Sequence, residues 1–160
     1  MRKKDKEIIE REFLDSIIHN SEICHLACCL DDKPYVIPIS FGYDGKTIYF
    51  HTARDGKKNE IFLKNPQVCL GFETNIKLIS DRENACKWSF DFQSVIAAGE
   101  IKEIADQDLK NYGLNQIMFH YSEQNWTLPE QRVRNINVWQ VTIDTITGKQ
   151  SPAKTISEKD

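Results

Sequence analysis

The stretch that decides the reading is IYFHTARDGKKNEIFLKNP, residues 48–66. It opens as a β-strand, begun at Thr47 and ended at His51 and Thr52, and continues into a polar turn. Gly56 in that turn permits close backbone approach. Lys57 and Lys58 follow, and Asn59 to Asn65 reads as a short helix with Ile61, Phe62 and Leu63 apolar, stopped by Pro66. A hydroxyl, backbone N–H groups and two ammonium groups thus converge where a helix starts, which suits an anion, above all a phosphate monoester. A solvated basic turn explains the same residues equally simply.

Working outward, Lys6 to Asn20 places Ile8, Ile9, Phe13, Ile17 and Ile18 at helical spacing and predicts an amphipathic N-terminal helix over 6–20. An apolar run, 23–30, and a β-rich run, Tyr35 to Phe41, flank the turn signal Asp31-Asp32-Lys33-Pro34. Pro38 inside the second run predicts a sheet edge, bulge or barrel rim. Asp44-Gly45 marks a hairpin turn. Downstream, strands are expected at 68–74, 84–104 (one bent strand or an antiparallel pair) and 135–146, with a second helix over 107–122 and a loop at 125–134. The polar residues from Thr147 are expected to fray. Six or seven short strands, mostly joined as hairpins, with two or three helices, favour a mainly β fold: an antiparallel barrel with flanking helices rather than a βαβ sheet. No dinucleotide or P-loop glycine motif is present.

Length sets one domain as the default for 160 residues, here 1–150 with a C-terminal tail at 151–160. The composition, 40% hydrophobic and 28% charged, is ordinary for a globular chain. A net charge of −3 argues against a nucleic-acid binder. No apolar run is long enough for a spanning helix. The charged start MRKKDKEIIERE lacks a signal core, so a cytoplasmic location is expected, with no membrane partner.

Cys24, Cys28, Cys29, Cys69 and Cys86 read as reduced thiols. The first three, around His25, fall in an apolar run without a second ligand pair at zinc spacing, so no metal site is expected. His19, His25 and His120 read as structural. Trp88, Phe90 and Phe92 alternate on one strand face and read as core, with cofactor cover or a dimer seam as the other uses. Asp31-Asp32 and Asp106/Asp108 read as turn and capping residues.

In order along the chain stand VIPISFGY (36–43), YFHTARDGKK (49–58), NPQV (65–68), ACKW (85–88), SVIAAG (94–99) and ITGK (146–149). This series resembles the FMN-binding split barrel of the pyridoxamine 5′-phosphate oxidase superfamily, in particular the flavoproteins related to nitroimidazole resistance (Nim) proteins. The resemblance implies a six-stranded antiparallel split β-barrel and a homodimer with FMN between protomers. In that family a Ser-Arg-Lys run eight residues before an Asn-Pro turn grips the flavin phosphate. Lys58 matches its lysine and Lys57 its arginine, while Gly56 replaces the serine. It further implies that Thr52 joins the phosphate site, with Arg54 at its rim. Pro38, Ile39 and Ser40 would meet the flavin ring through backbone, and Ser94 would reach the phosphate or ribityl chain across the dimer. His51 would lie beside the cofactor as a tentative catalytic group. The implied activity is oxidoreduction of a small acceptor, a nitroaromatic or a related compound, with NAD(P)H. The Trp-Gln-Gly segment and Arg/His set of true vitamin-B6 oxidases have no counterpart, since Trp139-Gln140 sits too early. The same barrel would also serve a non-catalytic flavin store or sensor, or bind haem (His51 or His120 as axial ligand) or a deazaflavin.

Overall fold

A computed structural model of the chain describes residues 4–151. After a 3-10 turn come β1 (Glu7–Ile8), α1 (Arg11–His19), β2 (Cys24–Leu30), β3 (Lys33–Ile39), β4 (Gly42–Tyr43) and β5 (Thr47–Ala53). α2 (Lys57–Lys64), β6 (Gln67–Ile79), β7 (Ser89–Glu103), α3 (Gln107–Ser122), the single turn α4 (Glu130–Val133) and β8 (Ile136–Ser151) complete the chain. All strand pairs are antiparallel, in the order β3-β2-β6-β7-β8-β5-β4, with β1 added to β8. Six strands have seven or more residues; β1 and β4 have two each. The path stays open between β3 and β4, which agrees with the antiparallel barrel expected from the hairpin pattern and with the split form that the resemblance implies.

Strand alternation builds the core. Leu26, Leu70, Phe72, Val95, Ala97 and Val141 point inward, joined by Phe41, Phe50 and Trp139, all almost fully buried. Ile17 and Ile18 of α1 are buried in the same core. A second cluster lies where α3 covers β5 and β8: Tyr49, Ile104, Leu114, Ile117, Val133 and Val138. Gly42 lets α3 sit on β4, for a Cβ there would stand 2.2 Å from the Gln116 backbone carbon. Asp106 caps α3 by accepting from the Leu109 N–H at 2.8 Å, as its position predicts.

Three boundaries differ from expectation. The helix expected over 6–20 is confined to Arg11–His19, because Glu7 and Ile8 pair with Lys149 and Gly148 and bury Ile8 against β8. β8 does not fray at Thr147: it runs to Ser151, paired with β7 throughout and with β1 near its end. Its inward residues there are Gly148, packed under Leu14 and Ile8, and Gln150, so no apolar alternation announces the strand. The rest of the expected tail lies outside the described residues. α4 occupies one turn of the segment read as a loop.

β3 is an end strand, which accounts for Pro34 and Pro38. Its hairpin with β2 closes on Leu30 and Lys33, leaving Asp31 and Asp32 as a two-residue loop with φ of 50° and 58°. Two positive φ values are the demand of a type I′ turn, whose second position favours glycine. Asp32→Gly is therefore expected to raise stability by about 0.5–1 kcal/mol, seen as a higher urea midpoint at unchanged slope.

Candidate functional site

The turn between β5 and α2 is fixed from below by a buried polar chain. The Trp139 indole N–H donates to Thr52 Oγ1 at 3.0 Å, and that hydroxyl donates to Asn59 Oδ1 at 2.9 Å. Asn59 Nδ2 then donates to the carbonyls of Ala53 (2.8 Å) and Arg54 (2.9 Å). All three side chains are buried, at 1%, 2% and 5% exposure. Phe62 packs edge-on against Trp139 and Phe50, which ties α2 to the same core. From above, Arg54 donates to the Arg134 carbonyl, and Asn137 Nδ2 donates to the Arg54 carbonyl at 3.2 Å. Thr52 thus faces inward and holds the loop; its hydroxyl is engaged on both sides. Asn59 was not singled out by sequence. Its signal was an amide beside the apolar residues of a short helix.

The loop ends in an open helix start. Gly56 has φ 139° and ψ 158°, a region essentially reserved for glycine, and no side chain caps α2. The Asn59 and Glu60 N–H groups donate to the Gly56 carbonyl at 3.0 and 3.4 Å, which leaves the Lys57 and Lys58 N–H groups without an acceptor within the helix. Lys57 and Lys58 stand there on different sides. Lys57 Nζ lies 4.8 Å from the centre of the Tyr35 ring, over a cleft of about 150 Å³ walled by Leu30, Pro34 and Ile61. Lys58 is half-buried on the side of His51. His51 points outward and is exposed; partial desolvation, and secondarily the charge of Lys58, lower its pKa from the ordinary imidazole value.

The other expected residues lie elsewhere. Pro38 points outward, Ile39 is buried, and Ser40 is exposed just past β3. As the last strand, β3 offers one row of backbone groups along its free edge. Ser94 sits on the outward face of β7 between Glu73 of β6 and Lys149 of β8, beside a cleft of about 310 Å³ lined by Ile96, Thr147 and Gly148. Ala53, the end of β5, pairs with Ile136 at the opposite end of β8, roughly 40 Å of strand contour from Lys149. Within one chain, Ser94 and the lysines are not brought together.

Trp88, Phe90 and Phe92 do not fill the core as expected. β6 and β7 extend beyond an irregularity at Thr74/Lys77 into an arm on which Ile76, Leu78, Trp88 and Phe90 are each more than half exposed. Past this point the hairpin has no layer behind it. The arm is nevertheless ordered by hydrogen bonds: Trp88 Nε1 donates to the Asp81 carbonyl, and the Asp81 carboxylate accepts from the Glu83 and Asn84 N–H groups and pairs with Lys87. These bonds hold the Asp81 pKa below its ordinary value.

Four of the cysteines divide between two sheet faces, and Cys86 lies in the 3-10 turn Ala85–Lys87. Cys24 and Cys28 are buried, which pushes both thiols up, whereas Cys29 is half-buried and Cys69 and Cys86 are exposed. Among the described residues no group of three or more His, Cys, Asp or Glu side chains could hold a metal ion. No helix there is long and apolar enough to cross a membrane. His120 donates Nε2–H to the Ser21 carbonyl at 2.9 Å and packs at a tilt against Phe41, so that nitrogen is already occupied.

Residues 10–150 match the family described as pyridoxamine 5′-phosphate oxidase. A candidate 5-nitroimidazole antibiotic resistance protein from Bacteroides thetaiotaomicron superimposes with a TM-score of 0.80 at 32% identity, covering 90% of this chain and 86% of its own. An FAD- and haem-binding protein from Mycobacterium smegmatis shares the fold at 19% identity and TM-score 0.79, covering 92% and 74%. An uncharacterised protein of Rhizobium meliloti (strain 1021) is 25% identical over 123 residues, 76% of this chain and 74% of its own length.

Proposed function

The chain belongs to the pyridoxamine 5′-phosphate oxidase family, and from that premise we propose that it is an FMN-binding flavoprotein, an oxidoreductase of the cytoplasm acting as a homodimer on a small acceptor, with NAD(P)H as donor. The observation that carries this reading is the uncapped start of α2, opened by Gly56 and bearing Lys57 and Lys58. Its donor set fits a phosphate monoester: the Lys57 and Lys58 N–H groups, a favourable helix dipole and two ammonium groups, against which stands the Glu60 carboxylate of the same first turn. Lys57 must leave the Tyr35 ring to join. An exposed cation–π contact contributes about 0.5–1 kcal/mol, and charge-assisted bonds to phosphate contribute more, so the exchange is downhill.

The remaining residues act around that anchor. The free edge of β3 at Pro38–Ser40 orients the ring system through backbone groups. Ser94 lies too far along the sheet to serve its own chain's lysines, so in this reading it serves those of a second copy. The exposed arm residues Trp88 and Phe90 cover the join and exclude water. His51, exposed beside Lys58 at the end of β5, would be the catalytic group next to the cofactor. The bound flavin would supply two-electron redox chemistry. The core position of Trp139 supports an acceptor other than a B6 vitamer, because Trp139-Gln140 cannot face a substrate from there.

Titrating the protein with FMN tests the reading. The expected result is saturable binding at one FMN per chain, with flavin absorbance retained on a sizing column at the mass of two chains. An unliganded, folded protein would overturn it, and a Soret band in the protein as isolated would replace it by the haem reading.

A further inference from the structure

Lys149 ends the ITGK run at 146–149 and stands, like Ser94, roughly 40 Å of strand contour from the end of β5 and so from the α2 lysines of its own chain. It pairs directly with Ser94 of β7 on one side and with Glu7 of β1 on the other. Its ammonium leans over β7, where Nζ lies 5.4 Å from the centre of the Phe92 ring, and so away from Glu7. Among the described residues no carboxylate lies within ion-pair distance of it. Glu73, opposite Ser94 on β6, is turned to His25, whose Nδ1 lies 3.1 Å from Oε1. Ser94 and Lys149 thus bring a hydroxyl and a cation to one cleft of about 310 Å³, which they line together with Ile96, Thr147 and Gly148. Neither glutamate lines that cleft.

The start of α2, by contrast, is one cation short for its ligand. A phosphate monoester carries close to two negative charges near pH 7. Lys57 and Lys58 bring two positive charges, and Glu60 in the same turn offsets one of them. We propose that Lys149 of one protomer supplies the missing charge to the phosphate held at the α2 start of a second copy, so that each FMN is gripped by lysines of two chains; this rests on the flavin reading above. The placement follows from Ser94, which that reading sends to a second copy's cofactor. Lys149 occupies the register position beside Ser94 and opens on the same cleft. The Phe92 ring holds the ammonium until the ligand arrives, and a charge-assisted bond to phosphate is the stronger of the two contacts. FMN binding then favours the dimer, because the third cation is present only where two chains meet.

Lys149→Met is the informative variant, because it keeps an apolar stem over Phe92 and removes only the charge. The expected result is an FMN affinity lowered about tenfold to a hundredfold, the range for one hydrogen bond to a charged group, with riboflavin affinity within about threefold. Retained riboflavin binding also shows that the variant is folded. Equal losses for the two ligands, or no loss for either, overturn the assignment. Mixing variants tests which chain supplies the lysine. Lys149→Met and the double variant Lys57→Ala/Lys58→Ala, co-expressed with different tags and purified as mixed dimers, should hold one FMN per two chains at wild-type affinity. One of the two sites then has all three lysines and the other has none. A mixed dimer in which no site regains wild-type affinity overturns the assignment. A wild type that holds FMN as a single chain overturns it while leaving flavin binding intact; a wild type that holds no FMN overturns both.

Discussion

Alanine at both Lys57 and Lys58 is expected to weaken FMN binding by roughly a hundredfold to ten-thousandfold while leaving riboflavin within about threefold. The range follows from about 1.5–3 kcal/mol for each hydrogen bond to a charged group, at about 1.4 kcal/mol per decade. Riboflavin lacks the phosphate and so is blind to the change. Lys57 is exposed and Lys58 half-buried, and neither takes part in the Trp139–Thr52–Asn59 chain, so the fold should survive. Fluorescence titration of both ligands against both proteins decides it. Equal losses for the two ligands would remove the phosphate from this helix start.

Trp139→Ala should be the most damaging single substitution to the fold, at about 3–5 kcal/mol by the range for large aromatic truncations. That is a large share of the roughly 5–15 kcal/mol holding a domain together. The indole is 1% exposed, packs on Phe62 and donates to Thr52. Its loss opens a cavity under α2 and releases the hydroxyl that holds Asn59. Trp139→Phe keeps most of the volume and loses one buried hydrogen bond, a cost nearer 1–3 kcal/mol. Urea midpoints should rank wild type, Trp139→Phe, Trp139→Ala. In the Phe variant, FMN affinity should fall although no residue touching the ligand has changed, because the Thr52–Asn59 latch sets the loop. Wild-type affinity there would show that the loop keeps its shape without the indole.

Sequence patterning disclosed the strands that alternate strongly and the hairpins whose turns carry Asp, Asn or Gly. It disclosed the helix start at Gly56 because three unusual residue types coincide there. It failed where inward positions are filled by something other than a large apolar side chain, as at Gly148 and Gln150 of β8. It failed at Ile8, whose spacing suits helix and strand alike, because the pairing that selects strand comes from β8, some 140 residues later. Thr52 reads as a ligand residue from its place at the strand end, yet the alternation runs through it: Phe50 and Thr52 point in, His51 out. Trp88 and Phe90 looked like core because nothing local tells a packed aromatic from one on an arm that outruns the barrel.

A seam left open in a sheet is a standing invitation to amyloid-like growth, since any stray strand can dock on its unpaired backbone. Here one rim of the seam begins with Lys33, carries Pro34 and Pro38, and so lacks two donors that an intruder would need. The other rim, β4, is two residues long. The seam thus resists polymerisation, and exchanging Pro38 for a β-branched residue would trade away that immunity before it touched the barrel's interior.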